Sequence, residues 1–226
     1  MNQTEQISSV KLMWKMTRPH TLTATFAPVI LGTVMALAYT DINWGMFAAI
    51  MFACLCLQIA TNLFNEYYDF KNGVDKQGRE GFRRGVTEGE ISPKAMKYAT
   101  FVTLGLAAVV GCAMLYYGPW WLVIVGIVIM LFALAYSTGP YPLSHHGLGD
   151  VAVVLFFGVV PVLFTCFLQT GSWEGLKFVS PTSVAVGLLA ANVLIVNNYR
   201  DMEDDAAVNN RTTVVIFGRK TMGRVY

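Results

Sequence analysis

The sequence predicts an all-α, polytopic membrane bundle, and three observations predict it. Of the 226 residues, 55% are hydrophobic and only 13% are charged, whereas a soluble domain carries about 25% charged residues. Apolar runs close to the ~20 residues that cross a hydrocarbon core of ~30 Å recur along the chain. When six such spans alternate, all of the 16 lysines and arginines except Lys177 fall on one side of the membrane. That one-sidedness is the positive-inside pattern, so it supports both the span count and a cytoplasmic N-terminus. It also accounts for the basic residues, and no nucleic-acid partner is expected.

Residues 1–18 form a polar leader in which Ile7, Val10, Met13 and Trp14 suit either an interfacial helix or a partly ordered tail. Residues 19–226 form the membrane domain. Pro19 opens it, since proline near a helix start loses no needed N–H. The spans are read over 22–39, 44–64, 98–117, 120–136, 151–168 and 180–196, and residues 212–226 would begin a seventh. Thr40 to Asn43 and Tyr117-Gly118-Pro119 are short connections, so their flanking helices pack as antiparallel neighbours. The opposite face carries longer, glycine-bearing and charged connections, 70–93 and 137–150, which suggest lids over a site. The leader is no cleavable signal peptide, because its apolar run is long and starts only after polar residues. Cys54, Cys56, Cys112 and Cys166 all fall within spans, where cysteine behaves as a small hydrophobe.

Chemistry is concentrated at the cytoplasmic ends of spans two and six. Asn62, Asn65, Glu66 and Asp69 follow i, i+3, i+4, i+7 spacing, which at about 100° per residue places them on one helical stripe. Asn198, Asp201 and Asp205 form a similar stripe, from which Glu203 points away. Carboxylates at a bilayer edge are expensive, so clusters of them mark function. Hard oxygen donors select magnesium or a similar ion, which typically takes one or two carboxylates together with phosphate oxygens. The pattern therefore predicts a magnesium–diphosphate clamp rather than an all-protein metal cage. Arg79, Arg83, Arg84 and Arg211 are candidate phosphate donors, with Arg84 and Arg200 the first choices, although the positive-inside bias is the better explanation of any single one. Tyr67, Tyr68, Tyr136, Tyr141 and Tyr199 lie near the same span ends, either as faces for a developing carbocation or as an interfacial belt. His20, His145 and His146 have no nucleophilic or metal-binding pattern.

With these residues in view, the chain resembles the UbiA superfamily of membrane prenyltransferases. The resemblance rests on Arg18-Pro19-His20-Thr21-Leu22 with Pro28, on Asn65-Glu66-Tyr67-Tyr68-Asp69 with Asp75, and on Asn197-Asn198-Tyr199-Arg200-Asp201 with Asp205. Tyr136-Ser137-Thr138-Gly139-Pro140 and Gly147-Leu148-Gly149-Asp150 are most similar to the branch that prenylates 1,4-dihydroxy-2-naphthoate in menaquinone synthesis. The resemblance implies transfer from polyprenyl diphosphate to that ring with loss of carbon dioxide, in the inner (cytoplasmic) membrane with the site on the cytoplasmic side. It implies Mg2+ held by Glu66, Asp69, Asp201 and Asp205. Asn65, Asp69, Asp201 and Asp205 would act at the reacting centre. Asn62, Asn65, Asp75, Arg84, Asn198, Arg200, Arg211, Tyr136 and Tyr199 would surround the substrates.

Three departures stand out. Glu66 replaces the family's commoner Asp, Asn210 stands where relatives often carry Lys, and the family runs to about nine spans, so the chain is expected to be a truncated form. A CDP-alcohol phosphotransferase also uses acids and magnesium, but its DGxxAR run does not occur here. A transporter is expected to place its polar features near the bilayer midplane, not at one face. Within the family, 4-hydroxybenzoate, homogentisate and haem are the alternative acceptors.

Overall fold

The computed structural model describes residues 9–73 and 84–226, and over these it is built of helices: no strand occurs among the described residues. A short helix α1 (Ser9–Met16) leads through a 3-10 turn (Pro19–Leu22) into α2 (Thr23–Ala36). Then follow α3 (Trp44–Lys71), α4 (Pro93–Met114) and α5 (Leu122–Ala135). After a 3-10 turn (Leu143–His145), α6 (Gly149–Val154) joins α7 (Val160–Thr170) through a π-helical turn (Leu155–Val159). The chain continues with α8 (Leu176–Arg200), α9 (Met202–Ala207), α10 (Thr213–Phe217) and α11 (Arg219–Val225).

Four helical segments have the length and apolarity to cross a membrane: α3, α4, the α6–α7 unit (Gly149–Thr170) and α8. The other two expected spans correspond to α2 and α5, apolar helices of 14 residues each. At the C-terminus a seventh span was expected to begin. That segment holds two short helices, separated where Gly218 takes φ +79°. They fold back so that Val214 and Met222 pack on Ile195 of α8.

Local chemistry sets the boundaries. Asn43 caps α3 by accepting from Met46 N at 3.0 Å, and Ser92 caps α4 by accepting from Ala95 N, with Pro93 at the first helical position. Gly171 closes α7 in the left-handed conformation. Pro161 cannot donate to the preceding turn, and a π turn in front of it is one way a helix absorbs that loss. The leader helix is tied down over its described part. Leu12 and Met16 are buried with Leu63, Val86, Ile91 and Met96, and Met16 Sδ accepts from Gly85 N.

Two features fix how the helices sit. First, backbones touch where glycines face one another. A Cβ on Gly158 would lie 2.4 Å from Gly187 Cα, and one on Gly187 would lie 2.5 Å from Val154 O. The α8 helix therefore lies directly against the π turn, as small residues allow in membrane helix packing. Second, a polar ladder joins α3 to the start of α2. Gln58 Nε2 donates to Thr21 O at 2.7 Å, and Gln58 Oε1 accepts from Thr25 Oγ1. Asn62 Nδ2 donates to Thr17 O at 2.9 Å and to Thr21 Oγ1 at 3.2 Å. Replacing Gln58 with Leu strands the partners of this ladder in an apolar setting, at about 1–2 kcal/mol. The detergent-solubilised variant is therefore expected to melt roughly 2–8 °C below the parent, and an unchanged melting temperature would remove the ladder from the stability account.

Candidate active site

The first motif stands on α3 as the stripe predicts, and the structure separates its members by task. Asn62 faces the turn before α2, and its amide is used in the ladder just described, not as a substrate contact. The turn it grips is unusual. Arg18 has φ 54° and ψ 63° immediately before Pro19, a conformation that is disfavoured for a non-glycine residue and clusters at functional sites. Asn65 Oδ1 accepts from Ser137 Oγ at 2.5 Å, linking α3 to the end of α5. Glu66 is 1% exposed, and its Oε1 accepts from Val86 N at 3.1 Å. It braces the segment that returns from the 70–93 connection and does not line the cavity described below. Asp69 pairs with Arg84 at 3.7 Å. Asp75, Arg79 and Arg83 lie outside the described residues.

The second motif departs from the single-helix expectation. α8 stops at Arg200, Asp201 caps it with φ −92° and ψ 9°, and α9 begins at Met202. Backbone bonds nevertheless carry the helical register across the break: Asp201 N donates to Asn197 O at 3.0 Å, and Asp205 N donates to Asp201 O at 2.9 Å. The stripe therefore survives as an interrupted one. Arg200 grips Asp201 through two bonds of 2.6 and 2.8 Å. Asp205 is 3% exposed, and its Oδ1 accepts from Asn210 Nδ2 at 3.1 Å.

A cavity of about 60 Å³ lies where these elements meet, at the end of α5 and the starts of α6 and α10. It is lined by Tyr136, Asp150, Asn198, Asn210 and Thr213 among others. The 137–148 segment closes over it, with Ser144 donating twice to Tyr136 O, from N at 3.0 Å and from Oγ at 2.7 Å. Gly147 sits at φ +73°, a backbone conformation that favours glycine, and the end of the Ile216 side chain of α10 packs where a Cβ would be. Arg211 N donates to His145 O at 3.2 Å and pins the rim.

The second motif borders this cavity, and the first lies behind its wall. On one side Asn65 of α3 bonds Ser137, the neighbour of the lining Tyr136, and the Tyr136 hydroxyl feels the charges of Asp150, Asp69 and Arg18. On the other side Asn198 lines it directly, while Asp205 reaches it through Asn210. Three buried polar atoms here have no hydrogen-bond partner among the described residues: Arg18 Nη2, Asp150 Oδ1 and Asn210 Oδ1. Burial lowers the His145 imidazole below its ordinary range, and the neighbouring His146 lowers it further, so at neutral pH that ring adds no positive charge to the rim.

Two predicted substrate residues are not brought in. Tyr199 is 42% exposed and lies under Arg219 at 5.2 Å, because it is one step of about 100° around α8 from Asn198. The Arg211 side chain is exposed, and only its backbone takes part. Glu203 points away as expected and forms a bidentate pair with Arg219 at 2.5 Å. Conversely, Arg18, Ser137, Asp150, Asn210 and Thr213 belong to the surroundings of the site. The signal available for the first was an arginine before proline, and for Asp150 an acidic residue at the head of an apolar run.

The donors fit a magnesium ion that shares its coordination with a ligand. They are carboxylate, amide and hydroxyl oxygens, the hard set such an ion selects. Among the described residues no three His, Cys, Asp or Glu side chains gather into a group that could hold a metal ion. The orphaned acceptors Asp150 Oδ1 and Asn210 Oδ1 add to the cavity's attraction for positive or proton-donating groups.

Comparison with known proteins gives concordant findings. The UbiA prenyltransferase family matches residues 25–226. A Bacillus subtilis (strain 168) protein named 1,4-dihydroxy-2-naphthoate octaprenyltransferase is 35% identical over 210 residues, which cover 93% of this chain and 67% of that protein. The Escherichia coli (strain K12) protein of the same name is 33% identical over 230 residues, covering 98% and 73%. The chain thus spans about two thirds to three quarters of the length of these relatives. Among solved structures, a UbiA homolog from Archaeoglobus fulgidus bound to DMAPP and Mg2+ superposes with a TM-score of 0.71 at 16% identity, over 94% of this chain and 71% of that one. At that identity the likeness is one of fold.

Proposed function

This chain belongs to the UbiA prenyltransferase family, and we propose that it transfers a polyprenyl group from polyprenyl diphosphate to 1,4-dihydroxy-2-naphthoate, releasing carbon dioxide and giving demethylmenaquinone. The observation that carries this reading is that the second motif borders a cavity at one end of the bundle, Asn198 directly and Asp205 through Asn210, while Asn65 of the first bonds Ser137 beside the lining Tyr136. The acceptor is favoured by the shared name of the relatives with most of whose length the chain aligns.

In this reading Asp69, Asp201 and Asp205 hold magnesium against the diphosphate, with Glu66 close behind them. Magnesium, when bound, stabilises the negative charge that develops as the diphosphate leaves. Arg84 and Arg200 hold Asp69 and Asp201 in place through their ion pairs, and Arg18, whose Nη2 is buried without a hydrogen-bond partner among the described residues, adds positive charge that favours an anion. Asn65 and Ser137 fix the α3–α5 junction, and Tyr136 presents an aromatic face and a hydroxyl to the acceptor. The exposed apolar flanks, such as Ile124, Ile127, Leu131 and Val193, suit lipid and the isoprenoid tail. In this reading the protein lies in the cytoplasmic membrane with its N-terminus and site on the cytoplasmic side, as the one-sided distribution of its basic residues supports. On the same reading residues 19–226 are its catalytic domain, preceded by a leader whose Leu12 and Met16 pack against α3 and α4.

The test is an assay of membranes carrying the chain against a panel of aromatic acceptors, with and without EDTA. Prenylated naphthoquinol is expected to form only with magnesium, and turnover of 4-hydroxybenzoate or homogentisate instead would replace the acceptor. A control follows from the charge layout. Arg219 holds the exposed Glu203 carboxylate below the usual range by hydrogen bonding. Such a pair stabilises above the ordinary carboxylate pKa and loses its effect as pH falls through the lowered value. Being at the surface, it contributes little, and Glu203→Gln is expected to keep turnover within about twofold of the parent.

A further inference from the structure

Among the described residues, Asp150 stands apart from the motif carboxylates at this end of the bundle. The motif carboxylates are engaged: Asp69 by Arg84, Asp201 by Arg200, Asp205 by Asn210 and Glu66 by Val86 N. Asp150 Oδ2 accepts from Thr213 Oγ1 on α10. Its Oδ1 is buried and is the one buried carboxylate oxygen without a hydrogen-bond partner among the described residues. An aspartate in the first turn of a helix ordinarily turns back to a free backbone N–H. No such bond is made by Asp150, whose carboxylate lies on the cavity wall beside Tyr136, Asn198 and Asn210. Gly149, with the Tyr136 hydroxyl 3.5 Å from where its Cβ would be, leaves room for that ring.

A buried acceptor left open is costly unless a ligand supplies a donor. The cavity, at about 60 Å³, has room for the hydroxyl-bearing edge of an aromatic ring rather than a whole bicyclic one. We propose that Asp150 is a catalytic residue whose Oδ1 takes the proton from the acceptor hydroxyl ortho to the ring carbon that is prenylated. This rests on the prenyl-transfer reading above and names the base for it.

The chemistry balances without a further reagent. The prenyl C–O bond breaks, and its electron pair leaves with the diphosphate. A pair from the ring carbon bearing the carboxylate forms the new C–C bond, while the ortho O–H bond becomes a ring carbonyl and its proton passes to Asp150 Oδ1. The product is a β-keto carboxylate, which expels carbon dioxide. The released pair restores the aromatic ring as an oxyanion, and Asp150 returns the proton to it. No ring C–H is lost, so the base is needed only on loan. A carboxylate neutralised by a metal or an arginine serves this poorly, whereas one held by a single threonine hydroxyl serves it well.

The experiment uses the full chain in membranes and two acceptors, the dihydroxynaphthoate and its analogue methylated at the ortho hydroxyl. Parent activity on the first acceptor tests the prenyl-transfer reading separately. Asp150→Asn is expected to lower kcat about 100-fold or more, with KM for polyprenyl diphosphate within about twofold. The methylated analogue is expected to bind the parent but turn over about as slowly as the natural acceptor does with Asp150→Asn. With that variant, methylation should add no further loss. A kcat within about threefold of the parent, or a loss that appears chiefly in the KM for polyprenyl diphosphate, overturns the assignment. If Asp150→Asn fails to accumulate, the parent with the methylated analogue decides, and undiminished turnover of that analogue overturns it.

Discussion

Asp69→Ala and Asp201→Ala each reduce magnesium-dependent prenyl transfer by roughly 10²–10³-fold or more, the scale of losing a principal charge stabiliser at a reacting centre. The two residues stand on different helices, α3 and the end of α8. Each is already paired with an arginine, at 3.7 and 2.6 Å, so alanine also leaves that arginine without its carboxylate. Because both are read as gripping one metal–diphosphate cargo, their losses should not add: the double variant is expected to fall little below the worse single one. The check is kcat/KM for polyprenyl diphosphate in membranes, with accumulation of each variant measured alongside. Two losses that multiply fully would mean separate tasks, and turnover within about tenfold of the parent in either variant would take that residue out of the site.

The all-helical class, the rough positions of the apolar helices and the placing of the α3 stripe on one helix were legible because each depends on local pattern. Length and apolarity define α3, α4 and α8, and i, i+3, i+4, i+7 spacing defines the α3 stripe. What was not legible depends on neighbours far away in sequence. Asn62 carries the same spacing signal as Asn65, yet its partner is Thr17, 45 residues earlier, so its amide belongs to the scaffold. Tyr199 and Asn198 are adjacent in sequence and face opposite surroundings, Arg219 in one case and the cavity in the other. The break at Asp201 has no glycine or proline to announce it. Asp150 and Thr213, 63 residues apart, meet only because α10 folds back beside α6 and α8. The resemblance to a family flagged the segment around Asp150 without giving it a task, and the packing of α10 makes its chemistry visible.

Two glycines tie stability to the site. Gly158 on the π turn and Gly187 on α8 place two backbones in contact, and an added methyl at Gly158 would meet Gly187 Cα at 2.4 Å and Ser183 O at 2.5 Å. These are main-chain atoms, so no side chain can rotate away, and the helices must separate. Overpacking of this kind costs about 1–3 kcal/mol, occasionally more. For a chain of this size Gly158→Ala should therefore melt roughly 2–12 °C below the parent. The larger Gly187→Val is expected to lose most folded protein, since its Cβ meets both Val154 O and Cα. Gly105→Ala on α4 is the matched control. Nothing lies within 4 Å of that position, and alanine in an open helical site stabilises by about 0.5–1 kcal/mol. The same substitution thus carries opposite signs at two helical glycines. Because α8 bears Asn198 and α6 bears Asp150 on facing walls of the cavity, prying them apart should also reduce turnover in whatever Gly158→Ala protein remains folded. If that variant melted with the parent and kept its activity, the α6–α8 contact could not be what sets the width of the site.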